Sequence, residues 1–447
     1  MLSRKTSRIV AAIRNLGVLP PVEKVIKFFS EYGLTLTPVG YGWCGEPIYV
    51  ARLGSGARSV LLTALVDPDE PVGLLTLQFL VTEVIDRQPE LLKRFTWYLV
   101  PAADPCGAKL NENWFSRPYD LRLYILERFK VKVVEWYMPG SCGDYIFKNP
   151  TPEALAFKRV IDLVKPDFLA LLHSNDFKGV RFFLSKRIPQ LMYKLKSLVK
   201  MLNLQLHRGD DEAHNLEVYE DGFYRMPTLC DVHLTCLEGY GLCKGVGETI
   251  YGYSRHVNPK IFALSCETPF VYSRLLEDAA PSGEKLRGLY MKVVEDSYPI
   301  ACKAEQFLRL FAKEVKGSCP HLWEAIEYIE EWTAELRRLK TLIARSDDYS
   351  REATKAEEFS VLVVKGMWDT LLKLGILMRI ARRCRFSTDL ARKIEEELDA
   401  IFEERYSELT TYPIEYIPLE KQVLMQLRSI MLSVETIFGK RIDWMKT

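Results

Sequence analysis

Three stretches of the 447-residue chain deliver an acidic or imidazole side chain at the end of an apolar run. In LLTALVDPDEPVG (Leu61 to Gly73) a hydrophobic strand pattern runs into Asp67, Pro68, Asp69 and Glu70. Carboxylates three residues apart at a strand exit can converge on one cation, and the same residues also read as a solvated acidic turn capping the next helix. In KPDFLALLHSNDF (Lys165 to Phe177) an apolar strand ends at His173. Sheets of α/β proteins carry ligand-bearing residues at that place, although a lone strand-end histidine is more often structural. In KIFALSCETPFVYS (Lys260 to Ser273) Glu267 leaves an otherwise apolar strand. Apolar neighbours raise a glutamate's pKa toward the range of a general base, while a glutamate at a strand's solvent end is commonplace.

The elements that would position these residues follow from periodicity. Strand patterns fall at Pro47 to Leu53, Ser59 to Val66, Thr96 to Ala102, Phe168 to His173, Val180 to Ser185 and Ile261 to Glu267. Helical patterns lie between them at Val72 to Asp86, Asp120 to Phe129, Pro152 to Val164 and Gln190 to Leu202. Apolar strands alternating with helices predict an α/β fold around a largely buried sheet, with chemistry at strand ends. After Pro281 the periodicity is helical throughout: Ser282 to Lys316, Pro320 to Ala344, Ala356 to Cys384, Ser387 to Leu409 and Leu419 to Phe438. The expected organisation is an α/β domain over 1–280, N-terminal helices 1–34 included, and an all-α bundle over 281–447, divided at the turn signal DAAPSGEK.

Composition narrows the function. With 61 Lys+Arg against 59 Asp+Glu the net charge is +2, too balanced for a chain whose main task is neutralising phosphates, so no nucleic-acid partner is expected. The apolar run Val361 to Ile380 is broken by Lys365, Asp369 and Lys373, which predicts a buried helix and no membrane span. The basic start of the chain lacks the apolar core of a signal peptide, and the 10 cysteines are irregularly spaced. Reduced thiols and a cytoplasmic location are the expectation. Only six histidines occur, none before His173.

The three strand ends, taken in order, resemble the zinc carboxypeptidase family (carboxypeptidase A-like, funnelin metallopeptidases) across roughly residues 35 to 275. Asp67-Pro68-Asp69-Glu70-Pro71 is similar to the family's His-x-x-Glu motif with Asp in the histidine's place. Asp104-Pro105-Cys106-Gly107, followed by Asn111-Glu112-Asn113-Trp114, is similar to its Asn/Asp-Pro-Asp-Gly segment. Leu172-His173-Ser174 matches the strand-borne ligand, Glu267 the catalytic glutamate, and Gly45-Glu46-Pro47-Ile48 the lead-in. The resemblance implies a mixed, mostly eight-stranded sheet flanked by helices, with one Zn²⁺ held by Asp67, Glu70 and His173. It implies a peptide or small amide substrate, with Glu267 as general base and then acid toward the attacking water. It further suggests Arg117 as the oxyanion-stabilising arginine, Asn111 as a substrate contact, and Tyr251 or Tyr253 as the residue covering the substrate.

Asp67 is the main departure. Two carboxylates and one imidazole leave a divalent ion about neutral, where two imidazoles and one carboxylate leave it near +1. The added hard oxygen shifts metal preference toward Mn²⁺ or Co²⁺ and raises the pKa expected of a bound water. The Asn-Arg pair that grips a terminal carboxylate in the family has no match between Arg117 and His173, so a deacylase acting on a non-peptide amide and a catalytically impaired binding scaffold stand as alternatives. Self-association through the helical half is a further expected use. Two other motifs read as structural: Cys230-x-x-His233-x-x-Cys236 with Cys243, whose ligands cannot easily converge within one run, and His321-Leu322-Trp323-Glu324, which reads as a capped helix start. The Arg392 to Glu397 charge run reads as a solvated helix face.

Overall fold

A computed structural model describes residues 11–15, 17–130, 134–177, 179–208, 216–237, 245–318, 329–384 and 389–439. The chain forms two compact units. The first comprises Met1–Pro118, Lys132–Val271 and Tyr416–Thr447, and the second Tyr119–Val131 and Tyr272–Glu415.

The first unit is built on a nine-stranded sheet of β1 (Thr35–Tyr41), β2 (Pro47–Leu53), β3 (Arg58–Ala64), β4 (Phe95–Val100), β5 (Phe168–Asn175), β6 (Arg181–Leu184), β7 (Val218–Glu220), β8 (Phe223–Arg225) and β9 (Phe262–Pro269). Their order is β1-β2-β4-β3-β5-β9-β6-β8-β7. Strands β4, β3, β5 and β9 run parallel, while β2 and β6 flank them antiparallel. The parallel core explains the unbroken apolar runs, since strands covered on both faces have no polar side to show. The expected mixed sheet flanked by helices is therefore present, with nine strands.

The principal helices are α1 (Val22–Glu31), α2 (Val72–Arg87), α3 (Pro105–Phe115), α4 (Pro152–Val164), α5 (Pro189–Met201) and α6 (Ile250–Val257) in the first unit, then α7 (Leu286–Ser318), α8 (Trp332–Arg345), α9 (Asp369–Cys384) and α10 (Asp389–Leu409) in the second, and finally α11 (Leu419–Phe438), back in the first. Helices α4 and α6 cover one sheet face, packing Phe157, Val160, Ile161 and Ile250 against Leu61, Leu169, Leu171 and Ala263. Thr151 caps α4 by accepting from the Ala154 amide at 3.2 Å. Helices α2, α5 and α11 gather on the opposite face. On α11 the apolar Val423, Leu427, Ile430 and Val434 and the polar Gln422, Gln426, Ser429 and Ser433 are alike buried, as suits a helix enclosed on most sides.

In the second unit α7 packs on α8 and on a π-helical stretch, Ser360–Trp368, that leads into α9. Leu286, Leu289, Val293, Ala353 and Val361 form part of its core. The buried Lys373 reaches Asp369 at 2.7 Å and lies 4.9 Å from the Trp332 ring centre. Ser387 and the His321 to Glu324 motif lie outside the described residues. Among the described residues no helix is long and apolar enough to cross a membrane.

The expectation of uniformly reduced cysteines is corrected. Cys44 pairs with Cys106, and Cys142 with Cys230, across separations of 62 and 88 residues. Local spacing carries no trace of such pairs because the partners meet only in the tertiary fold. Closing loops of this length restricts the unfolded chain by about 4 kcal/mol each in the chain-entropy account. Cys266 (buried) and Cys302 (exposed) keep free thiols.

Helix α2 approaches the sheet closely at Gly73, where a Cβ would stand 2.6 Å from the Ala64 Cβ and 2.9 Å from the Leu172 Cβ. Gly73→Ala should therefore lower unfolding stability by about 1–3 kcal/mol through overpacking, in spite of alanine's better helix propensity. Urea unfolding followed by circular dichroism checks this, and an unchanged midpoint would refute so close an approach.

Candidate metal centre

Strand β3 is fully buried from Val60 to Ala64. It is followed by Leu65, whose φ of 51° lies in the left-handed region. That conformation costs a non-glycine residue about 1–2 kcal/mol, so the surroundings must hold it. The Ala103 and Asp104 amides do so, donating to the Ala64 and Leu65 carbonyls at 3.1 and 3.0 Å. The chain then turns through Asp67, Asp69 and Glu70, which are only 7%, 1% and 8% exposed. The acidic turn is thus interior, not solvated. Gly107 on α3 lies against it, with room for no side chain: a Cβ would meet the Pro68 Cβ at 2.6 Å.

His173, near the end of β5, is also buried. Its Nδ1 donates to Glu70 Oε2 at 2.8 Å, and the Ser174 amide donates to the same oxygen at 2.8 Å. The ring's other nitrogen, Nε2, is 3.3 Å from Glu135 Oε2. Burial disfavours the imidazolium, but the Glu70 and Glu135 carboxylates outweigh it and hold the His173 pKa well above its ordinary value. The strand end itself is braced from α11: Gln426 Nε2 donates to the His173 carbonyl at 2.8 Å, and Gln426 Oε1 accepts from Thr76 Oγ1 on α2 at 2.7 Å. One ligand atom each from Asp67, Glu70 and His173 lie within 4.8 Å of one another. Two carboxylates and an imidazole at that spacing suit a single divalent ion of the Zn²⁺ or Co²⁺ type.

Glu267 stands beside this group. In the parallel pairing of β5 with β9 its register partner is His173, and in the antiparallel pairing of β9 with β6 its partner is Arg181. His173, Glu267 and Arg181 therefore form a row across three adjacent strands. The Arg181 Nη2 donates to Glu267 Oε2, and the two side chains are 6% and 13% exposed. A charge pair this dry holds its geometry firmly, because removing either partner costs the other its charged hydrogen bond.

The remaining candidates have surroundings of their own. Arg117 is exposed in the turn after α3. Asn111 is buried within α3, where its Nδ2 donates to the Gly107 carbonyl at 3.0 Å and its Oδ1 accepts from Trp114 Nε1 at 2.9 Å. Tyr251 is buried in the core beneath α4 and α6, and the Tyr253 hydroxyl donates to Asp162 on α4 at 2.8 Å. Cys230 is spent in its disulfide, and the His233 ring stacks on Tyr145 at 4.7 Å between centres; Cys243 and the Cys236 side chain lie outside the described residues. Sequence reasoning passed over Glu135, Arg181 and Gln426. The first two had a signal, a charged residue inside an apolar run (VKVVEWY and GVRFFL).

No family model matches the chain, and no curated protein matches it in sequence. Solved structures similar to it include a candidate metallopeptidase of Shewanella amazonensis, 13% identical with a TM-score of 0.39, covering 56% of this chain and 83% of that one. A carboxypeptidase A of Helicoverpa armigera is 12% identical with a TM-score of 0.37, covering 60% of this chain and 71% of that one. A metallo-carboxypeptidase of Burkholderia cenocepacia is 16% identical with a TM-score of 0.34, covering 55% of this chain and 59% of that one.

Two outcomes follow from the electrostatics. Arg181→Met should destabilise the fold by about 3–5 kcal/mol by leaving the Glu267 charge without its arginine, and Arg181→Met/Glu267→Gln should recover most of that loss; a double variant no better than the single one would refute the coupling. Because the folded pKa of His173 is raised, its stabilisation of the metal-free chain is fully present below its unfolded value, about 6.5, and is lost as pH rises through the folded value. Chemical denaturation across pH should show this slope, and His173→Asn should flatten it.

Proposed function

We propose that the chain is a zinc-dependent metallopeptidase of the carboxypeptidase type, hydrolysing a peptide or peptide-like amide bond. The observation that carries this reading is the convergence of Asp67, Glu70 and His173 at buried strand ends, with Glu267 alongside His173 in register. Asp67, Glu70 and His173 would hold the ion, which when bound supplies Lewis acidity, lowering the pKa of a water and polarising an amide carbonyl. Glu267 takes the proton of the attacking water and returns it to the leaving amine, serving first as base and then as acid. Arg181 orients that carboxylate through its charged hydrogen bond. Glu135, 3.3 Å from His173 Nε2, orients the imidazole in the way outer carboxylates align ligating histidines. Arg117, Asn111, Tyr251 and Tyr253 are assigned no step.

The Arg181–Glu267 pair also supports a second reading, a binding scaffold in which the base is permanently engaged. Glu267→Gln separates the two. For an enzyme it should lower kcat by about 10²- to 10⁴-fold while bound metal is unchanged. Equal activity in the variant and the parent would leave the scaffold. Peptides with free and blocked C-termini, assayed side by side, distinguish a carboxypeptidase from a deacylase, since only the former needs the free carboxylate.

Metal loading should be linked to protons. His173 must give up a proton to become a ligand, so below its raised pKa the metal affinity should climb about tenfold per pH unit. Calorimetry in buffers of different ionisation enthalpy reads the released proton, and a pH-independent affinity would remove His173 from the ligand set. Asp67→His, by restoring a positive charge to the centre, should tighten zinc and move the acidic limb of the pH–rate profile downward. If neither changes, Asp67 is not a ligand.

A further inference from the structure

A second group of metal-ligating side chains, sharing no residue with the centre at Asp67, Glu70 and His173, lies on the first unit behind the acidic turn. One ligand atom each from Asp104, Cys106 and Glu153 fall within 4.8 Å of one another. All three residues are buried, at 2%, 2% and 4% exposure. Cys106 is bonded to Cys44, so the second sulfur of the pair stands at the same place. The groups come from three elements: Cys44 from the turn between β1 and β2, Asp104 and Cys106 from the start of α3, and Glu153 from the first turn of α4.

The surrounding backbone already serves anionic atoms here. The Trp43 amide donates to Glu153 Oε1 at 2.7 Å, the Gly107 amide to Asp104 Oδ1 at 2.8 Å, and the Cys44 amide to Cys106 Sγ at 3.1 Å. Gly42 walls the group from the hairpin side, where a Cβ would stand 2.6 Å from Cys106 Sγ and 3.1 Å from Glu153 Oε1. Cys44, by contrast, is exposed, which gives a reductant access to the bond.

We propose that reducing the Cys44–Cys106 disulfide opens a second metal site, in which the two thiolates join the carboxylates of Asp104 and Glu153 around a divalent ion of the Zn²⁺ or Co²⁺ class. In the oxidised protein the sulfurs are bonded to each other and the site is closed. A trialkylphosphine opens it by breaking the S–S bond. The phosphine is oxidised to its oxide, and water supplies that oxygen and the two thiol protons. Metal binding then releases those protons, so affinity rises with pH. Mixed sulfur and oxygen donors favour borderline metals over Mg²⁺ and Ca²⁺, whose ligands are oxygen alone. The proposal does not rest on the hydrolase reading.

The test uses Co²⁺ with the full chain, before and after phosphine treatment. Reduction should add one bound Co²⁺ and an intense thiolate-to-cobalt charge-transfer band in the near ultraviolet. Cys106→Ser should remove both. Asp104→Asn and Glu153→Gln keep both cysteines and can still accept from Gly107 and Trp43, so they test the carboxylates in a chain that folds with its disulfides formed before it is reduced. Each should weaken the added Co²⁺ by at least about tenfold, a loss that even an outer-shell partner can cause. No added metal on reduction would overturn the proposal. So would a charge-transfer band that survives Cys106→Ser, which would place the sulfur at another cysteine, or unchanged affinity in both amide variants.

Discussion

Glu70 is the hinge of the first unit's chemistry. One of its oxygens accepts from both the His173 ring and the Ser174 amide, so a turn leaving β3 is bonded to the far end of β5 through a single buried atom. A carboxylate taken this far out of water needs donors, and these two supply them. Around that bond the rest is arranged. Leu65 accepts a left-handed backbone so that the acidic turn can fold inward, α3 presses its first turn onto Pro68, and Glu135 closes the other edge of the imidazole.

The same economy of contacts explains how charge is managed across the sheet. His173, Glu267 and Arg181 alternate in chemical character along a row of three strands, with acid between two bases. Each buried ionisable group has a neighbour of opposite sign, and no member of the row can be changed alone without altering what its neighbour experiences.

The strands that carry the site were legible because they are long, apolar and covered on both faces; β3, β5 and β9 fall within a few residues of their sequence patterns. Asp67, Glu70 and His173 were visible for the same reason, as polar residues breaking an apolar run. Strands β7 and β8, three residues each, are too short to show a period, and β1 is mostly exposed and shows no alternation. The π-helical turns at Ser360–Trp368 bury much the same apolar residues as an α-helix would, so the sequence does not announce them. Pairings between distant segments were the least readable. Arg181 can be seen as unusual in its strand, but nothing local says that its partner is 86 residues away, and the disulfides pose the same difficulty. With α11 the clue was present and of another kind: a helix with apolar residues on nearly every side suits an interior better than a bundle's rim.

That last helix has a temporal consequence. Residues 272–415 interrupt the first unit, and α11, which covers one face of its sheet and holds the His173 carbonyl through Gln426, is made only after them. During synthesis the sheet's strands are complete by residue 269, yet the face that α11 covers waits for more than a hundred further residues to emerge. Apolar strand residues such as Leu264 and Cys266 must pass that interval without their final cover, a period in which exposed sheet surface is prone to association. The candidate centre therefore gains its brace from α11 only once residues 419–438 have emerged, although Asp67, Glu70 and His173 are all made early.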